Sequence, residues 1–126
     1  MTLYFNVTNP ELPNQIFYLN GSKNNSTFGN AVLTQAFDDI GTGYAPIRAT
    51  LGISKSNLGA YNSLTSKLST GNYPVLGTIT FSNVLSNVTL LSKIDVCMGN
   101  KDEISNNYNE INRGVTEFNN VKIVWH

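Results

Sequence analysis

The chain contains one cysteine, one histidine and one tryptophan, and Lys, Arg, Asp and Glu together make up only 13% of its 126 residues. Cys97 is alone, so neither an intramolecular disulfide nor a thiolate zinc site can form, and the fold must rest on packing. The single histidine, His126, closes the sequence, where chains usually fray. Catalysis by a fixed imidazole is therefore not expected, and a histidine metal cluster or a Ser-His-Asp arrangement fails by count within one subunit. Eight basic and eight acidic residues cancel. The basic ones are spread without a cluster, whereas a nucleic-acid groove needs a concentrated positive field, so nucleic acid is not an expected partner. No run of apolar residues approaches the length of a membrane span, and Met1-Thr2-Leu3-Tyr4-Phe5 has neither a basic nor a long apolar leader. The expectation is synthesis in the cytoplasm without a membrane partner.

What the chain has instead is amide and hydroxyl groups: roughly a third of its residues are Asn, Ser or Thr. Neutral polar groups cost less to desolvate than ions and can pair with a flat partner surface, which is a composition suited to assembly. AT-rich codon usage would also raise Asn. The sequons at Asn6, Asn20, Asn24, Asn25 and Asn87 are what chance gives in so Asn-rich a chain. Apolar residues reach 40%, enough for one core, and a single domain over 1–126 is expected.

Leu3, Phe5 and Val7 alternate with polar residues, the period of a half-buried strand. Gln15 to Leu19 reads as a second strand, joined to the first as a hairpin through Pro10 and Pro13. From Asn30 the apolar residues Val32, Leu33, Ala36, Phe37 and Ile40 fall on one helical stripe, stopped at Gly41-Thr42-Gly43, although Asp38 and Asp39 would face the unfavourable end of the helix dipole. Pro46 to Ile53 reads as a strand with Ile47, Ala49 and Leu51 on one side. Ser54 or Ser56 caps a second helical stripe of Leu58, Tyr61, Leu64 and Leu68, weakened by Gly59. Val75 to Phe81, Val84 to Leu91 and Ile94 to Met98 are β-rich. Gly99 to Arg113 reads as loop. The last strand comprises Val115 to Phe118 and Val121 to Trp125, with a bulge at Asn119-Asn120. The order predicts an α+β class: a mainly antiparallel β-sheet or sandwich with two short helices.

Chemistry is hard to assemble from these residues. As a strand residue Cys97 shares a face with Lys93 and Asp95, with no histidine or helix N-terminus beside it, and reads as inert packing. The adjacent acids Asp38-Asp39 and Asp102-Glu103 do not make an acid/base couple by spacing, and solvated surface is their plain reading. Asn100, Asp102, Glu103, Ser105, Asn107, Asn109 and Glu110 are rich in oxygen but lack the EF-hand order and its glycine. Gly41, Gly43 and Gly52 do not form a phosphate cradle. No catalytic, metal or cofactor residue is expected.

Tyr44, Tyr73 and Tyr108 sit in turn-like polar settings, and Tyr beside Asn and Ser is contact-surface chemistry. With Tyr4 and with Trp125, which shares a strand face with Val121 and Ile123, they form the candidate interface. In its low charge, its Asn, Ser and Thr content and its strand-dominated pattern, the whole chain resembles small virion proteins of tailed bacteriophages. No diagnostic motif carries that likeness. It implies a non-catalytic subunit of the virion (capsid decoration, connector, or tail or fibre part) whose partners are copies of itself and other virion proteins. A carbohydrate-binding or adhesive module using exposed Tyr and Asn, with surface glycan as partner, is the alternative, and a small enzyme or inhibitory protein the third class.

Overall fold

A computed structural model describes residues 1–9, 15–20, 34–58, 63–68, 71–102 and 112–125. Among the described residues there are ten strands and no helix: β1 (Thr2–Asn9), β2 (Gln15–Asn20), β3 (Gln35–Asp38), β4 (Gly43–Tyr44), β5 (Pro46–Leu51), β6 (Ser54–Asn57), β7 (Ser63–Leu68), β8 (Gly71–Phe81), β9 (Leu90–Asp102) and β10 (Asn112–Lys122). They form a four-stranded sheet in the order β1-β8-β5-β6 and a six-stranded sheet in the order β4-β3-β9-β2-β7, with β10 also paired to β9.

Alternation builds the first sheet. Leu3, Phe5 and Val7 of β1 lie opposite Ile79, Gly77 and Val75 of β8, and Ala49 and Leu51 of β5 lie opposite the same Ile79 and Gly77. These residues face a core shared with Phe17, Leu19, Leu64, Leu91, Ile94 and Val96 of the second sheet. On the other face of the first sheet, Thr2 and Thr80 join hydroxyls at 3.1 Å and Thr50 and Thr78 at 2.6 Å. A two-residue turn at Gly52-Ile53 connects β5 to β6, with Gly52 at φ +61°, a value that glycine reaches without a Cβ clash.

In the second sheet β9 is the spine. β10 runs along one edge, while β3 and β2 share the other: β3 pairs with Leu91 to Asp95 and β2 with Met98 to Asp102. At the handover between them the Cys97 N–H donates to the Thr34 hydroxyl at 3.0 Å. Ser92 is the extra residue where the β3 register shifts between Phe37 and Asp38, and its hydroxyl reaches the carbonyls of both (3.3 and 2.9 Å).

The expected helices are corrected by these strands. Thr34, Ala36 and Asp38 are buried and Gln35 and Phe37 half-buried, a period of two whose inward set is mostly polar and so invisible to a count of apolar residues. In the second stripe Leu58 and Leu64 are both buried, but Leu58 follows β6 and Leu64 belongs to β7, where Leu64 and Ser66 point inward around exposed Thr65. Of the other stripe residues, Ile40 is exposed in the turn after β3 and Leu68 ends β7, while Val32, Leu33 and Tyr61 lie outside the described residues. Among the described residues the class is all-β, two antiparallel sheets. The expected hairpin of the first two strands is also corrected, because β1 pairs with β8 in one sheet while β2 pairs with β7 and β9 in the other. Between Val84 and Thr89 the chain is a connection with a turn (Val88 N to Leu85 O, 3.0 Å), not a strand. β9 and β10 reach into the expected loop as far as Asp102 and back to Asn112. Asn120 has φ +54°, yet the β9–β10 register is the same on both sides of it, so no residue is inserted there.

Candidate functional site

Four titratable side chains, Asp38, Tyr44, Lys93 and Asp95, are engaged in structure. Asp38 and Tyr44 show how the β3–β4 hairpin is held. One Asp38 oxygen accepts the N–H groups of Ile40 (3.1 Å) and Thr42 (2.8 Å), and the other accepts the Tyr44 hydroxyl at 2.8 Å. Burial raises the Asp38 pKa, but the bonds from Tyr44, Thr42 and Ile40 together outweigh it and hold the carboxyl below its ordinary 3.8. Tyr44 is shifted above its ordinary 10.0, first by its bond to Asp38, then by burial and by the carboxylate charge. Asp38 is thus a buried turn anchor and not the solvated acid expected from its neighbours in sequence. Lys93 pairs with Asp95 at 3.3 Å and lies 5.1 Å over the Phe37 ring. Cys97 is buried on the same strand face as these two. Among the described residues no three of His, Cys, Asp and Glu are grouped as a metal site, and no helix is long and apolar enough to cross a membrane.

The two sides of the sandwich differ. On one, the Ser66 hydroxyl of β7 reaches the Leu51 carbonyl (3.3 Å) and the Ser54 hydroxyl (2.9 Å), tying the larger sheet to β5 and β6 of the smaller. On the other, β1 and β10 are the outer strands of their sheets. Between them runs a groove of about 530 Å³, walled by the stretch from Met1 to Tyr4 and by the stretch from Val121 to Trp125. The second wall is held down by two bonds to the connection before β9: Ile123 N to Thr89 O at 2.9 Å, and Trp125 Nε1 to Val88 O at 2.7 Å. Val121 and Ile123 pack against the core, whereas Val124 is 73% exposed.

This site brings together two of the five interface residues expected from sequence. Tyr4 is 68% exposed and Trp125 40%, and both line the groove. Trp125 lies past the end of β10 at Lys122, and it is more exposed than half-buried Val121 and Ile123. Tyr44 is buried, its hydroxyl spent on Asp38, so it presents no ring to a partner. Tyr73 lies in β8; Tyr108 lies outside the described residues, as do Glu103 to Glu110 of the oxygen-rich stretch. Sequence reasoning missed Leu76, 54% exposed on the outer face opposite Asn6, and Ile47, 45% exposed because the β5 register shifts between Pro46 and Arg48. Strict alternation from Ile79 marks Leu76 as outward-facing. The shift at Ile47 has no signal beyond the proline before it.

No protein-family model matches the chain, and no curated protein and no solved structure matches it.

Proposed function

We propose that the chain is a non-catalytic structural subunit that works by repeated protein–protein contact, in the manner of small virion proteins of tailed bacteriophages, as a decoration, connector, tail or fibre part. The observation that carries this reading is the open side of the sandwich. β1 is an outer strand with no charge or proline from Thr2 to Asn9, and it borders a groove with an exposed tyrosine and tryptophan. Natural sheets block such edges with charge, proline or a covering element, so an edge that no described strand covers is one for a partner to cover. The low charge of the whole chain fits surfaces that lose water in an assembly. The test is the mass and symmetry of the native protein by light scattering and electron microscopy. A defined oligomer or a decorated particle supports the reading. A monomer at high concentration that binds no particle surface refutes it.

The same two rings favour a second reading, a carbohydrate-binding module, since apolar rings with a few placed polar groups make ligand sites. Saturable binding on a glycan array, lost in Tyr4→Ala and Trp125→Ala, would replace the first reading with this one.

A further inference from the structure

We infer that the open edge of β1 pairs antiparallel with β1 of a second copy, joining two four-stranded sheets into one across a two-fold axis. This inference rests on the assembly reading above and names its contact. The direction of the free backbone groups follows from one bond. Phe81 N donates to Met1 O at 2.8 Å, so these residues face each other as a hydrogen-bonded pair. In an antiparallel ladder such pairs alternate along the strand. Leu3, Phe5 and Val7 therefore bond to β8, and the N–H and C=O groups of Thr2, Tyr4 and Asn6 point the other way. The far edge of β8 agrees with this phase: Leu76, an even-numbered residue, accepts from Gly52 at 3.0 Å on the β5 side. No described strand lies beyond Thr2, Tyr4 and Asn6.

An extended chain is the shape that satisfies such a row, and charge selects which one. Thr2–Asn9 carries no ionised side chain, so a charged peptide gains no counter-charge there while an identical edge meets no repulsion. Continuity of the pleat also restricts the register, because a slip of one residue would turn the core-facing row to solvent. In every allowed antiparallel register, Leu3, Phe5 and Val7 face the same row of the other copy, and Thr2, Tyr4 and Asn6 likewise face their own kind. The contact is self-complementary, as a two-fold interface must be. The groove beside the edge adds Val124 and Trp125 as apolar wall for the second copy.

The experiment uses the full chain: sedimentation over a concentration series with residue-resolved amide hydrogen exchange at both ends of that series. The expected result is a dimer in which the Tyr4 and Asn6 amides exchange slower by about tenfold or more than after dilution, while Leu3 and Phe5 stay protected throughout. Tyr4→Pro removes an outward N–H but no bond to β8, and should leave a folded monomer. Should that variant fail to fold, Asn6→Lys replaces an exposed side chain and should weaken the dimer in a way that added salt reverses. A dimer with freely exchanging Tyr4 and Asn6 amides, unaffected by Asn6→Lys, overturns the inference and leaves the assembly reading standing. So does protection that appears only on mixing with a different protein. A monomer at every concentration that still coats a particle also overturns it, and one that binds no particle sinks both.

Discussion

Gly77 is the position at which the packing under the open edge can be weighed. It lies opposite Phe5 of β1 and Leu51 of β5, on the core face of β8. A Cβ built there would stand 2.5 Å from both Cε2 and Cζ of Phe5 and 3.1 Å from Cε1. Carbon atoms settle at about 3.5–4.0 Å, so the ring would have to retreat by about 1 Å, and it packs against the core. Overpacking of this kind costs about 1–3 kcal/mol. Restricting the unfolded chain by replacing glycine returns about 0.4–1 kcal/mol, so Gly77→Ala should destabilise by about 1–2 kcal/mol net. Urea unfolding would read this as a lower midpoint at unchanged slope, and calorimetry as a melting temperature lower by several degrees, at roughly 3–5 °C per kcal/mol for a domain of this size. The cycle is completed in a Phe5→Leu background, where the clash is gone and Gly77→Ala should be neutral or slightly stabilising. If Gly77→Ala were neutral in the natural sequence, Phe5 would not lie over Gly77, and the register of β1 on β8 would be wrong.

Four further outcomes follow from the same geometry. The Asp38 carboxyl has a folded pKa below 3.8, so the stability it contributes is fully present above that value and is lost as pH falls through the folded pKa; Asp38→Ala should lower the melting temperature at neutral pH, and the gap from the natural protein should close in acid, which a gap independent of pH would contradict. The Tyr44 shift has the opposite sign: its contribution is intact below pH 10.0 and declines as pH rises through the raised pKa, so Tyr44→Phe should match the natural protein in the slope of alkaline melting only if Asp38 does not hold the phenol. Cys97→Ser buries a hydroxyl in place of a thiol and should cost about 1–2 kcal/mol while assembly is retained; lost assembly at an unchanged melting temperature would show that the thiol acts chemically. Deleting Val121 to His126 removes the last β9–β10 pairs and the half-buried Val121 and Ile123, and should abolish folding or assembly, whereas a truncated protein that folds and assembles normally would make that wall of the groove dispensable.

The strands that were legible in the sequence are those whose inward rows are apolar. β1 and β8 alternate cleanly because Leu3, Phe5, Val7, Val75 and Ile79 face the core and threonines face out. The two mistaken helices fall where the inward row is polar: Thr34 just before β3, Asp38 in β3 and Ser66 in β7 are buried and hydrogen-bonded. Buried polar groups are tolerated when bonded; the bonds of Thr34 and Ser66 come from distant segments, Cys97 and Leu51, and those of Asp38 from its own hairpin. A pattern count reads only apolar residues, so it skips those positions and finds a helical period in what remains. The same blindness explains why Tyr44 was read as surface: the turn around it is polar, but Asp38 turns inward to take its hydroxyl. One warning sign was present. A helix ending in Asp38-Asp39 would set two carboxylates against its own dipole, whereas a tight turn gives a carboxylate two N–H donors, which is what Ile40 and Thr42 provide.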